Sequence, residues 1–94
     1  MNKGELIDAI ATKASVTKKD ADAIFTAMLE KIVEAVSTGD KVTLVGFGSF
    51  EGRSRAAREG RNPKTNEKLH ISATVVPAFS AGKAFKEKVA PPED

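Results

Sequence analysis

The chain contains no cysteine and only one histidine, His70, which excludes a disulfide framework, a thiolate metal site and an imidazole cluster. Without a Cys nucleophile or a His beside a candidate serine, no catalytic constellation assembles. The sequence is therefore read as non-enzymatic, with no metal, no cofactor and no small-molecule substrate, and His70 as an exposed strand residue. Long apolar runs are also missing. Glu5 and Asp8 interrupt the first fifteen residues, so no stretch of signal-peptide type is present, and no later segment reads as a membrane span. A cytoplasmic protein with no membrane partner is expected.

Two glycine patterns stop short of nucleotide-binding motifs. Gly46-Phe47-Gly48 opens like a dinucleotide loop, but Glu51 stands where the third glycine belongs and no βαβ unit surrounds it. Gly82-Lys83 resembles the end of a phosphate loop, but Ala84 replaces the required Ser or Thr and Pro77 replaces the first glycine. Length is modest too: 94 residues make one domain with a small core, so a core shared between two copies is to be expected.

What the chain does have is an uneven distribution of charge. Its formal net charge is only +2. Residues 1–40 hold five basic and seven acidic side chains. Residues 53–70, by contrast, hold Arg53, Arg55, Arg58, Arg61, Lys64 and Lys68 against Glu59 and Glu67. A segment this basic is suited to a polyanion.

The pattern of elements places that segment. Asn2 with Glu5 three residues on caps a first helix carrying Leu6, Ile7, Ile10, Ala11 and Ala14 at helical spacing and ending near Ser15. Thr17 and Asp20 repeat the capping signature, and Ala21, Ile24, Phe25, Met28, Leu29, Ile32, Val33 and Val36 form one long stripe stopped by Gly39. So short a connection folds the two helices into a hairpin. Val42-Thr43-Leu44-Val45, the glycine-punctuated stretch around Phe47 and Phe50, and the alternating run from Lys68 to Val75 read as strands. Gly60-Arg61-Asn62-Pro63-Lys64-Thr65-Asn66 is the hairpin tip. Ser80 is expected to cap a short last helix, stopped by Pro91-Pro92.

The reading is therefore an α+β fold of order ααβββα: a helical hairpin, a three-stranded antiparallel sheet with a long protruding β-arm, and a C-terminal helix. Its parts are a helical dimerisation body over 1–40, a sheet over 41–79 with the arm at about 53–75, and the last helix over 80–90, all within a single domain over 1–94. The arm's legs, about ten residues each at ~3.3 Å per residue, extend past any core this chain can build. An obligate dimer is expected, because the stripe together with Val42, Leu44, Phe47, Phe50 and Phe79 exceeds what one copy can cover.

Arginines on an edge can serve solubility alone, but Lys and Glu would do that equally well. Guanidinium groups bind phosphate bidentately and are favoured in narrow, negative minor grooves, so the residues favour nucleic acid. Gly46-Phe47-Gly48-Ser49-Phe50, the arginines of the following strand, Gly60-Arg61-Asn62-Pro63-Lys64-Thr65, Pro77-Ala78-Phe79 and Gly82-Lys83 together resemble the bacterial HU/IHF family of histone-like proteins, closest to its HU branch. The resemblance covers essentially the whole chain. It implies an intertwined dimer, of the chain with itself or with a paralogue, whose arms bend double-stranded DNA through the minor groove, the mode for which HU and IHF are themselves known examples. It also implies DNA contacts by Lys3, Arg53, Arg55, Arg58, Arg61, Asn62, Pro63, Lys64, Lys68, Lys83 and Lys86, with Pro63 intercalating as a wedge. Low sequence specificity, compaction of the chromosome and a place in the nucleoid follow from the same likeness. Asn66 departs from the glycine often found after the Lys-Thr pair, but asparagine tolerates the left-handed conformation. Two rivals remain: an IHF-like reader of defined sites on the same scaffold, and a protein-interaction module whose strands extend a partner's sheet.

Overall fold

The computed structural model describes residues 1–91, and the expected stop at Pro92 and the acidic tail Glu93-Asp94 lie outside them. The elements are α1 (Lys3–Ala14), α2 (Lys18–Ser37), β1 (Val42–Leu44), β2 (Gly48–Arg55), β3 (Arg58–Arg61), β4 (Lys68–Ile71), β5 (Thr74–Ala81) and α3 (Lys83–Val89). They belong to two compact units, Met1–Glu34 and a second beginning at Ala35.

The caps form where polar side chains meet orphan helix groups. Asn2 Oδ1 accepts the Glu5 N–H at 2.9 Å, and Thr17 Oγ1 accepts the Asp20 N–H at 3.1 Å. At the end of α1, Ser15 turns left-handed with φ 57, and the N–H groups of Ser15 and Val16 close back on the carbonyls of Thr12 and Ala11. At the end of α2, Gly39 takes φ 91, and the N–H groups of Gly39 and Asp40 close on Val36 and Ala35. In the first unit Ile7, Ala11 and Ala21 are buried, with Ile10 and Phe25 packed against them.

In the second unit β1, β2 and β5 form an antiparallel sheet in that order, with Val42 opposite Phe50 and Phe50 opposite Phe79. Gly48 begins β2 where the chains are closest: a Cβ there would lie 2.5 Å from the Ser80 carbonyl oxygen and 2.7 Å from the Phe79 ring. Phe79 is the hub of an aromatic cluster, its ring centroid 5.5 Å from Phe47, 4.8 Å from Phe50 and 6.3 Å from Phe85 of α3. The Gly82 N–H donates to the Phe47 carbonyl at 2.8 Å, tying the start of α3 to the β1–β2 turn.

Two expectations need correction. Ser80 does not cap the last helix: it pairs with Ser49 inside β5, the sheet runs on to Ala81, and α3 starts after Gly82 without a side-chain cap. Strand pairing thus holds the residues that the sequence offered to the helix. The strand expected from Lys68 to Val75 is likewise interrupted, so that among the described residues the expected three-stranded antiparallel sheet is followed by a separate outer strand pair, five strands in all. Both legs lose strand geometry at the same level, Ala56-Ala57 on one side and Ser72-Ala73 on the other. Small side chains there leave little cross-strand packing, and alanine is a poor strand former.

Candidate nucleic-acid interface

Gly52 marks the point where the hairpin leaves the body. Gly48 to Glu51 are buried or half-buried, whereas Gly52 to Arg55 are exposed. Beyond the interruption, β3 and β4 form a separate two-stranded sheet with Arg58 opposite Ile71, Glu59 opposite His70, Gly60 opposite Leu69 and Arg61 opposite Lys68. The register is unbroken. Arg55 faces Thr74 before the gap and Arg58 faces Ile71 after it, with two residues on each strand between them and no bulge.

Cross-strand partners share a face and successive residues alternate, so the register sorts the arm's side chains. On the β2–β5 part, Glu51, Arg53 and Arg55 share one face with Ser80, Val76 and Thr74. On the β3–β4 part, Glu59, Arg61, Lys68 and His70 share one face, and Arg58, Gly60, Leu69 and Ile71 share the other. Arg58 therefore stands on the opposite face from Arg61, as their odd spacing on one strand requires.

The tip is held by its two asparagines. The Asn62 N–H donates to the Glu67 carbonyl at 2.9 Å, Asn62 Oδ1 accepts the Lys64 N–H at 2.9 Å, and the Asn66 N–H donates to the Asn62 carbonyl at 2.7 Å. Asn66 takes φ 61, the left-handed conformation expected of it, and its Oδ1 accepts from the Arg61 guanidinium at 3.2 Å. Within this frame Pro63 and Lys64 are exposed at the extremity of the turn, while Asn62 is half-buried, its side-chain oxygen engaged in shaping the turn.

At the base of the arm the Arg53 guanidinium lies 3.6 Å from Glu51 and donates to Ser80 Oγ at 3.2 Å. Glu51 also meets Lys41 at 3.8 Å. Lys41 was not among the expected contacts. Extending the register by one pair beyond Val42 and Phe50 sets it opposite Glu51, and this was the signal that would have found it. Lys83 opens α3 and lies 3.9 Å from Glu87, and Lys86 is in the last turn of the same helix. Lys3 is exposed at the start of α1, in the other unit. Every expected contact except Lys3 thus belongs to the second unit, spread from α3 to the tip of the arm.

The family model described as "Bacterial DNA-binding protein" matches residues 1–90. The chain is 78% identical to the DNA-binding protein HU of a Nostoc species, over 99% of each chain, and 61% identical to that of a Synechocystis species, over 97% of each. Among solved structures it is similar to Anabaena HU in a cocrystal with DNA, at a TM-score of 0.94 and 79% identity, covering 98% of this chain and 100% of that one. HU from Thermotoga maritima matches at a TM-score of 0.69 and 45% identity, covering 95% and 98%.

Proposed function

The chain belongs to the bacterial DNA-binding protein family, and on that footing we propose that it is a histone-like protein that binds double-stranded DNA with low sequence specificity and bends it. The observation that carries this reading is the arm itself, a ribbon in continuous register with cations along its length and a proline at its exposed tip. The fold similarity to HU in a DNA cocrystal supports it over the whole chain.

In this reading Arg53, Arg55, Arg58, Arg61, Lys64 and Lys68 grip the groove walls, while Asn62 shapes the tip. Lys3, Lys83 and Lys86 meet flanking phosphates. Phosphate contacts supply affinity without reading sequence, and deformability of the duplex supplies preference. Pro63 is the wedge: an uncharged ring at the end of the arm enters a base step and kinks the duplex, as minor-groove architectural proteins including HU do. The protein acts as scaffold for the nucleoid and performs no catalysis. The IHF-like alternative is not favoured, since the similar relatives named above are HU proteins.

Dimerisation accompanies this function. Ile24 is 67% exposed and Val33 65%, with Met28 and Leu29 also exposed along α2, and Val45 is 99% exposed in the second unit. Apolar area on this scale, beside a core of three buried hydrophobic residues among those described, needs a second copy to cover it. The domain then works as one module, with the helices serving association and the arm serving DNA.

Binding to plain, nicked and gapped duplexes at several salt concentrations tests the proposal. A steep salt dependence with tighter binding to the flexible duplexes is expected. Shallow salt dependence would favour the protein-interaction module, and protection of one defined sequence in footprinting would favour the IHF-like reader.

A further inference from the structure

His70 lies directly across the arm from Glu59, and the next pair on the same face is Arg61 with Lys68. All four side chains are exposed, and among the described residues this strand pair has no third strand beside it. The titratable groups facing His70 are therefore Glu59, Arg61 and Lys68. With a neutral imidazole this face carries one positive charge in net; with a protonated one it carries two. The acid is the interesting member, because Glu59 puts a negative charge where the arm is to meet phosphate. Directly opposite residues have Cβ atoms about 5 Å apart, close enough for an imidazolium to offset that carboxylate.

We propose that His70 is a proton-dependent DNA-contact residue, which in its charged form neutralises Glu59 and joins Arg61 and Lys68 in binding the phosphate backbone of duplex DNA. The inference rests on the DNA-binding reading above and adds a dependence on pH that the fixed cations do not supply. Imidazole is the one side chain whose ordinary charge change falls within the physiological range, and a phosphate nearby favours its charged form. DNA binding should therefore take up protons, and acidification should tighten the grip of the arm. Interpretation is direct because the chain has no other histidine.

The test measures affinity for a plain duplex between about pH 8 and pH 5.5 at constant ionic strength, using the full chain and its His70→Gln variant. Affinity of the parent should rise as pH falls, by up to about tenfold per arm for each unit by which DNA raises the imidazole pKa. Its salt dependence should steepen by up to ~0.9 per added contact. His70→Gln should lose the pH dependence. Proton NMR of the His70 ring should show its titration midpoint moving up when duplex DNA is added. Equal pH dependence in parent and variant, or a midpoint unmoved by DNA, overturns the assignment while leaving DNA binding intact. A parent that fails to bind DNA at any pH overturns the functional reading itself.

Discussion

Arg58 stands opposite Ile71, on the face of the arm that Arg61 does not share. The two arginines, three residues apart, therefore present their guanidinium groups to different sides of the ribbon. Arg61 instead has Lys68 across from it and Asn66 as a hydrogen-bond partner at 3.2 Å. Gly60, Leu69 and Ile71 make the Arg58 side the apolar one, and a Cβ on Gly60 would lie 3.3 Å from Ile71 Cδ1.

The expected consequence is that cations on the two faces contribute unequally. Replacing Arg61 and Lys68 together with alanine should weaken binding to every duplex and make the salt dependence of the two-armed dimer shallower by up to ~3.6, four contacts at ~0.9 each. Arg58→Ala should change the slope by less than one contact, because its neighbours are aliphatic. Salt titrations of the three proteins on one duplex check this, and equal slope losses per arginine would show that DNA surrounds the ribbon on both faces.

Gly48 is the position in the sheet least able to accept a side chain. A Cβ 2.5 Å from a backbone carbonyl oxygen cannot be relieved by a rotamer change, and the Phe79 ring blocks the other side at 2.7 Å. Gly48→Ala should therefore destabilise the protein by about 3 kcal/mol, at the upper end of overpacking effects. Gly46→Ala meets no atom within 4 Å and strains only a φ of 82, so it should cost about 1–2 kcal/mol. Urea unfolding of both variants at one protein concentration ranks them.

The helix boundaries were legible because their signals are local: Asn2, Thr17 and Gly39 each act on groups within four or five residues in the chain. Asn66 was legible for the same reason. The cross-strand partners of Arg58 were not, although each leg alternates visibly. Which residues oppose each other depends on the length of the tip, fixed by the bond from the Asn62 N–H to the Glu67 carbonyl, and a shift of one residue would exchange the faces. Ser80 misled because a helix cap and a strand residue differ only in what lies alongside, here Ser49 and Arg53. The interruption at Ala56-Ala57 was hidden because it arises from four small residues brought together by pairing.

Association should be visible in stability. If two copies share the apolar face of α2, the unfolding midpoint should rise with protein concentration, with each tenfold increase adding about 1.4 kcal/mol to the apparent stability. Ile24→Glu or Val33→Glu would place a charge in the shared core and should produce monomers that unfold more readily. Sedimentation of the parent at micromolar concentration checks the premise, and a folded monomer there would refute it.

As the proposed wedge, Pro63 should separate bending from gripping. It carries no charge and is exposed at the end of the turn, and the turn's hydrogen bonds run through Asn62, Lys64, Asn66 and Glu67. Pro63→Ala therefore leaves both the cations and these bonds in place. Its salt slope should match that of the parent, because the slope counts phosphates neutralised. What should fall is the bend. Inserting a ring into a base step requires unstacking of a few kcal/mol, which is offset only when the kinked duplex wraps onto more protein. Nicked and gapped duplexes already lack some of that stacking, so the parent should prefer them and the variant should prefer them less. Fluorescence transfer between labelled duplex ends measures the bend directly. A variant that bends DNA as sharply as the parent would return Pro63 to the role of a turn residue, with the kink arising from charge neutralisation along the arm.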